Sequence, residues 1–362
     1  MIIGSVCENK STEKRISVTP DNVKKFVSNG FKIYLEKNYG DHLDIDDEKF
    51  LENGAEFFSD KEKIIKESDI LLQLNLPDEK DLKNLAPNKN LVGVFDPINN
   101  KDSISKLTKN NINVFSLELL PRITRAQSMD ILSSQANLAG YKAVIDAFSF
   151  FNKAIPMMMT AAGTVPAAKV LVVGAGVAGL QAIATAKRMG AIVFATDVRM
   201  ASKEQVESLG GKFLVVEGSE NLETSGGYAK EASAEFKKKQ ENLLKETLKK
   251  IDIIICTALI PGKKAPIIIK GDMIDVMQKG SIIYDLAASQ GGNTEFTKAD
   301  EIIDVKGVKI LGDSNLLNKL PISASNLYSK NLLNFVINLY DKENKKININ
   351  LEDEIIKKTL VK

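Results

Sequence analysis

The sequence predicts an α/β protein of two doubly wound, mostly parallel sheets, and three observations carry that expectation. Residues 1 to 120 alternate short apolar runs with helical patterns, as strands joined by crossover helices do. Lys169 to Asp197 packs strand, glycine turn, helix, strand and a closing acid into 29 residues, about the size of one βαβ unit. The chain has 362 residues, 44% hydrophobic and 27% charged, an ordinary globular composition long enough for about two domains.

In the N-terminal part, Ile2 to Val6, Phe31 to Leu35, Ile70 to Leu74, Leu91 to Phe95 and Val114 to Ser116 read as strands. Asp21 to Ser28, Lys61 to Lys66 and Ser103 to Lys109 read as helices. Pro20 suits a helix start, and Asp78 after Pro77 is placed as a cap. The single histidine, His42 in the polar run YGDHLDIDD, reads as a surface residue rather than a catalyst.

Met129, Leu132, Ala136, Ala139 and Ala143 then recur at helical spacing, which starts a long helix near Ser128. Ahead of it lies a polar turn with Arg122, Gln127 and Asp130. Two readings of this turn stay open. It is a linker-to-helix turn in which Asp130 offsets the helix dipole, or it is a nicotinamide clamp, an arginine and an amide holding carboxamide and phosphates where no catalytic side chain is required.

The apolar run Val170 to Val173 fits a strand buried on both faces. Gly174, Gly176 and Gly179 follow as G-x-G-x-x-G, with Val177 and Ala178 in the first helical turn. Gly174 allows the tight turn, Gly176 lets the backbone approach a pyrophosphate, and Gly179 lets helix and strand pack closely. The phosphates then meet the positive end of the helix. A second apolar run, Ile192 to Ala195, leads to Asp197, Val198 and Arg199, with Asp197 18 residues beyond Gly179. Its carboxylate is placed to accept ribose hydroxyls and repel a 2′-phosphate, which favours NAD(H) over NADP(H). Arg199 cuts the other way, because a neighbouring arginine is how that phosphate is accommodated. The plain alternative for the whole motif is an ordinary strand-to-helix turn.

Helix Ser202 to Leu209 and strand Phe213 to Val216 continue the pattern. Glu217 to Ala234 breaks it with a polar, glycine-bearing stretch, long for a connection and read as a lid or a disordered segment. Tyr228 is its one aromatic side chain, able to close over a ligand. Strand Ile251 to Thr257 before ALIPGKKAP, and strand Ile282 to Leu286 before AASQGGN, complete the sheet. Both loops leave the carboxyl ends of strands, where open α/β sheets bind ligands. A helix is expected from Ser325 onward. The domains are read as 1–135 plus 327–362, and 136–326.

A net charge of +2 makes no electrostatic case for nucleic acid. The lysines around Lys237 to Lys250 alternate with glutamates and read as a solvated helix face. Cys7 and Cys256 fall in expected buried strands without metal-ligand spacing, so reduced core thiols and no metal site are expected. No apolar run reaches the ~18 residues of a spanning helix, and no export signal is read at the start of the chain. Arginine is scarce: Arg15, Arg122, Arg125, Arg188 and Arg199 stand among 49 basic residues. In a chain that defaults to lysine, each arginine marks a position suited to a planar, bidentate donor.

RITRAQSMDILSSQANLAGYKAV, PMMMTAAGTVPAAKVLVVGAGVAGLQAIATAK, GGYAKE and TALIPGKKAPIII resemble the signatures of the NAD(H)-binding domain I of proton-translocating nicotinamide nucleotide transhydrogenases. The resemblance is strong over residues 120 to 340 and looser before. It implies two Rossmann-like domains with NAD(H) in the cleft, and a homodimer. It also implies direct hydride transfer to an NADP(H)-binding domain III, coupled to proton movement by a membrane domain. Carried over, Arg122, Gln127, Asp130 and Ser133 position the nicotinamide, Asp197 takes the ribose, and Tyr228 is the mobile-loop tyrosine. Because some members of the family continue into a spanning helix, a chain ending at Lys362 is expected to be a separate subunit, cytoplasmic and peripheral on the inner face of the cell membrane.

Alanine dehydrogenase has a similar fold and is the rival. That family uses a lysine, a histidine and an aspartate on its oxo acid, and the matching segments here carry Asn75, Asp96 and Ser289. Arg15 matches its substrate-binding arginine, but without proton-transfer groups an oxidative deamination does not run. A binding-only NAD module is the third reading.

Overall fold

The computed structural model describes residues 1–216, 233–260 and 263–361. It divides into two compact units, Met1–Gln135 with Leu320–Lys362, and Ala136–Lys319. The return crossing falls at Lys319, not after residue 326. The reason is local: the last long helix begins at Pro321, with proline in its first turn, ahead of the expected Ser325.

The first unit carries six parallel strands, β1 (Ile2–Ser5), β2 (Lys32–Glu36), β3 (Ala55–Phe58), β4 (Ile70–Leu72), β5 (Asn90–Gly93) and β6 (Asn113–Ser116). Their order across the sheet is β3-β2-β1-β4-β5-β6. Chain direction reverses between β1 and β4, which makes that edge a topological switch point. The strands at the two edges of this sheet were not read from the sequence. Strand β3 is short and flanked by charge. The last residues, Leu360–Val361, pair antiparallel with β6 and close the edge. Helix Pro321–Leu339 buries Tyr328, Leu332, Phe335, Val336 and Leu339 in this unit's core. Asp78 stands at its expected helix start but makes no side-chain cap.

The first strands of the second unit form a hairpin, β7 (Met158–Thr160) and β8 (Gly163–Val165), whose side chains are almost all exposed. Its main sheet comprises β9 (Lys169–Val173), β10 (Ile192–Thr196), β11 (Lys212–Phe213), β12 (Ile253–Cys256), β13 (Ile282–Asp285), β14 (Ile302–Val305) and β15 (Val308–Gly312), in the order β11-β10-β9-β12-β13-β15-β14. All pair in parallel except β14, which runs antiparallel to β15. The sheet therefore does not end at β13, as expected. EIIDVKGVKIL folds back at Lys306 and Gly307, whose φ values of 57° and 88° give the two left-handed positions of a tight hairpin turn. The continuous apolar runs are explained by burial on both faces. Val170 and Val172 join one core cluster, Leu171 and Val173 the other. At about 1.5–3 kcal/mol per buried aliphatic side chain, these runs dominate the sheet's stability.

Helix Ile131–Phe150 starts after a 3-10 turn, Thr124–Met129, rather than at Ser128. Its buried positions include Ile131, Gln135, Ala143, Val144 and Ala147, while Leu132 of the expected stripe is exposed. Among the described residues no helix is long and apolar enough to cross a membrane.

Candidate functional site

The glycine motif lies at the second unit's own switch point, between β9 and β12. Gly174 has φ +94°, a conformation that L side chains rarely adopt. A Cβ there would also stand 2.8 Å from Thr257 Oγ1, whose hydroxyl donates to the Gly174 carbonyl at 2.8 Å. A Cβ on Gly179 would lie 1.9 Å from the Gly174 carbonyl oxygen, so helix and turn are in contact only because it is absent. Around Gly176 the surroundings are open: the nearest atom to a Cβ position is Arg199 Nη2 at 4.0 Å. That opening, at the N-cap of helix Val177–Arg188, fits a pyrophosphate approaching backbone N–H groups. Val177 is exposed and Ala178 half-buried in the first turn.

Asp197 follows β10, as expected, but its carboxylate is not free. Oδ2 accepts from Ala175 N at 2.7 Å and Arg199 Nη2 at 2.8 Å; Oδ1 accepts from Arg199 N and Nε, both at 2.9 Å. The side chains are 6% and 16% exposed. Val198, between them, is half-buried. Tyr228, the expected lid tyrosine, lies outside the described residues.

Sequence reasoning missed the parts that hold this turn. Gly140, inside helix Ile131–Phe150, would place a Cβ 2.0 Å from the Ala178 carbonyl oxygen, so the helix can rest on the fingerprint only through glycine. A glycine inside a helical pattern was the available signal. Asp285, at the end of β13, accepts from Ala287 N, Asn293 N and Thr297 Oγ1. Burial pushes its carboxyl above the ordinary range, against these hydrogen bonds. Asn293 in turn binds Ala258 N and O and the Pro266 carbonyl, tying the loops after β12 and β13 together. No spacing in the sequence announces such a lock.

The residues of the polar turn belong to the first unit. Asp130 and Ser133 are brought together: Oδ1 accepts from Ser133 N at 2.9 Å and Oδ2 from Ser133 Oγ at 2.6 Å. This is an N-cap for helix Ile131–Phe150. Arg122 and Gln127 are solvent-exposed on either side of Ala126, which is buried. Arg125 is bound elsewhere, to Asp353 and Asn338.

Arg15 is also committed. Its guanidinium meets both Glu13 oxygens, at 2.8 and 2.7 Å, and the Gln135 amide oxygen at 3.0 Å. Asn75 donates to Glu8, and Asp96 holds Asn99. Cys7 lies just past β1 and is half-buried, not inside the strand; burial, then Glu36, pushes its thiol up to about 12. Cys256 is buried within β12.

Fold and fingerprint define the class, a Rossmann-type α/β protein with a dinucleotide turn at a switch point. Within that class the chain belongs to the alanine dehydrogenase/PNT family, residues 4–139 matching the N-terminal domain and 143–362 the C-terminal domain. It is 47% identical over 361 residues to the first part of NAD(P) transhydrogenase subunit alpha of Rhodospirillum rubrum, covering 98% of this chain and 94% of that one. The crystal structure of transhydrogenase from Sinorhizobium meliloti superposes with a TM-score of 0.89 at 43% identity, covering 99% and 98% of the two chains. Alanine dehydrogenase 1 of Staphylococcus aureus is more distant, 24% identical over 94% of this chain and 88% of its own.

Proposed function

We propose that this chain is the NAD(H)-binding subunit of a proton-translocating NAD(P) transhydrogenase. It passes hydride directly between NADH and NADP⁺ held on a separate domain III, and a membrane partner couples the transfer to proton movement. The observation that carries the reading is the fingerprint, assembled at the β9/β12 switch point of a chain so similar, end to end, to a transhydrogenase alpha subunit. Bound NADH would supply the hydride; the chain's own work is to bind and orient. Gly174, Gly176 and Gly179 make room for the pyrophosphate, Val177 and Ala178 present the helix N-terminus, and Asp197 to Arg199 meet the ribose. Arg122 and Gln127, on a turn braced by Asp130 and Ser133, position the nicotinamide, with Tyr228 closing over it. Direct transfer needs no proton donor or acceptor from the protein.

The chain works as a homodimer on the inner face of the cell membrane, held there by its partners. An alanine dehydrogenase reading is disfavoured by Arg15: the Nε and Nη2 fork that would take an oxo acid's carboxylate already binds Glu13, and Nη1 donates to Gln135. The deciding experiment mixes the purified chain with an NADP(H)-loaded domain III and follows hydride transfer to an NAD analogue. Turnover is expected there and not with pyruvate, ammonium and NADH; the opposite pattern defeats the proposal.

A further inference from the structure

The geometry points to Arg199 as the residue that decides nucleotide specificity, a guanidinium tethered by Asp197 over Gly176 that takes a 2′-phosphate when the tether is cut. The inference rests on the dinucleotide reading above and adds to it the device by which the adenosine end discriminates.

A carboxylate offers about four lone-pair sites, and Asp197 already receives four donors: Ala175 N, Arg199 N, Arg199 Nε and Arg199 Nη2. A ribose hydroxyl therefore competes with the guanidinium for these oxygens. The arginine keeps its charge at all working pH values, and its fork matches a phosphate as well as it matches a carboxylate. Nη2 is the atom nearest the missing Cβ of Gly176, at 4.0 Å. The guanidinium is thus stationed at the place where the backbone opens toward phosphate. Asp197 and Arg199 together are close to neutral, so simple repulsion by a bare carboxylate does not describe this site. What keeps a 2′-phosphate out is that its natural partner is already engaged, the guanidinium donating through Nε and Nη2 to a carboxylate two residues away.

Repulsion and tethering make different predictions. If Asp197 acts by repulsion, Asp197→Asn improves binding of a 2′-phosphate whether or not Arg199 is present. If it acts as a tether, the gain requires Arg199. Asparagine retains an oxygen for Ala175 N, and melting temperature and circular dichroism verify that each variant is folded. The probes are 5′-AMP and 2′,5′-ADP, which isolate the adenosine end, together with NADH and NADPH, titrated in low salt.

Asp197→Asn is expected to tighten 2′,5′-ADP and NADPH on the order of tenfold or more, the scale of one charge-assisted hydrogen bond, and added salt should erode that gain. Asp197→Asn with Arg199→Met should show no gain. Arg199→Lys in the same background should restore only part of it, because the fork is lost. A gain that survives in the double variant, or no gain in the single one, overturns the tether. A wild-type chain that binds neither NADH nor 5′-AMP defeats the dinucleotide reading itself, and the inference with it.

Discussion

Asp130 is the residue on which the two readings of the turn meet. Its carboxylate caps helix Ile131–Phe150 through Ser133, and the proposed function asks the same residue to hold the turn bearing Arg122 and Gln127. The two roles separate by measurement. Gln127 is exposed, so Gln127→Asn should leave melting temperature and NADH affinity nearly unchanged. It should slow single-turnover hydride transfer to domain III by roughly one to two orders of magnitude, the scale for a misplacement of about 1 Å. Asp130→Asn should cost about 1 kcal/mol of stability as a weakened cap and slow transfer as well; a loss of stability with normal transfer would make the turn structural only. Asp197, Gly174, Gly176 and Gly179 were legible from spacing, because each answers a requirement of one short segment. Asp285, Asn293 and the grip of Arg199 on Asp197 were not, because hydrogen-bond partners are chosen by the folded backbone.

Among the elements, helix Ile131–Phe150 runs from the first unit into the second. Within the second unit it is pinned by Asp146. That carboxylate receives Lys142 and Lys319, and Tyr284 donates to it from β13 at 3.3 Å. Burial raises its pKa, but the hydrogen bonds and charges of the two lysines outweigh burial and hold it below the ordinary carboxylate value. A carboxyl whose folded pKa is depressed contributes stability above its unfolded value and loses it as pH falls through the folded one. Asp146→Asn should therefore cost on the order of 1 kcal/mol at pH 7, a charged hydrogen bond discounted because Lys319 is half exposed. The difference from wild type should shrink below about pH 4, as thermal melts across pH would record; a gap constant to pH 2 would exclude the ion pair as its source. The long elements were readable because periodicity accumulates over them. β3 and the β14–β15 hairpin were not: Glu56, Asp304 and Lys309 interrupt the apolar runs by which other strands of the same length were read.

For the whole molecule, the hairpin β7–β8 raises the question of what covers it. Residues 154 to 168 contain no charge, and Met157 and Met159 are 62% and 80% exposed. A two-stranded hairpin is marginal alone in water, and an uncharged exposed hairpin suits the second copy of the proposed homodimer. Met157→Asp with Met159→Asp should convert a dimer to monomers in sedimentation velocity while NADH affinity holds; a variant that stays dimeric would place the interface elsewhere. The sequence by itself determined the fold class, the nucleotide motif and the family, because alternation of strand and helix, glycine spacing and long local motifs are properties of neighbouring residues. Only the tertiary structure decided the order of strands, the edge pairing of Leu360–Val361 and the return crossing at Lys319. It also decided that the Asp197 carboxylate is already held by Arg199. These depend on which surfaces and donors reach each other once the backbone is folded, and hydrophobic burial, being non-directional, does not write such pairings into any one segment.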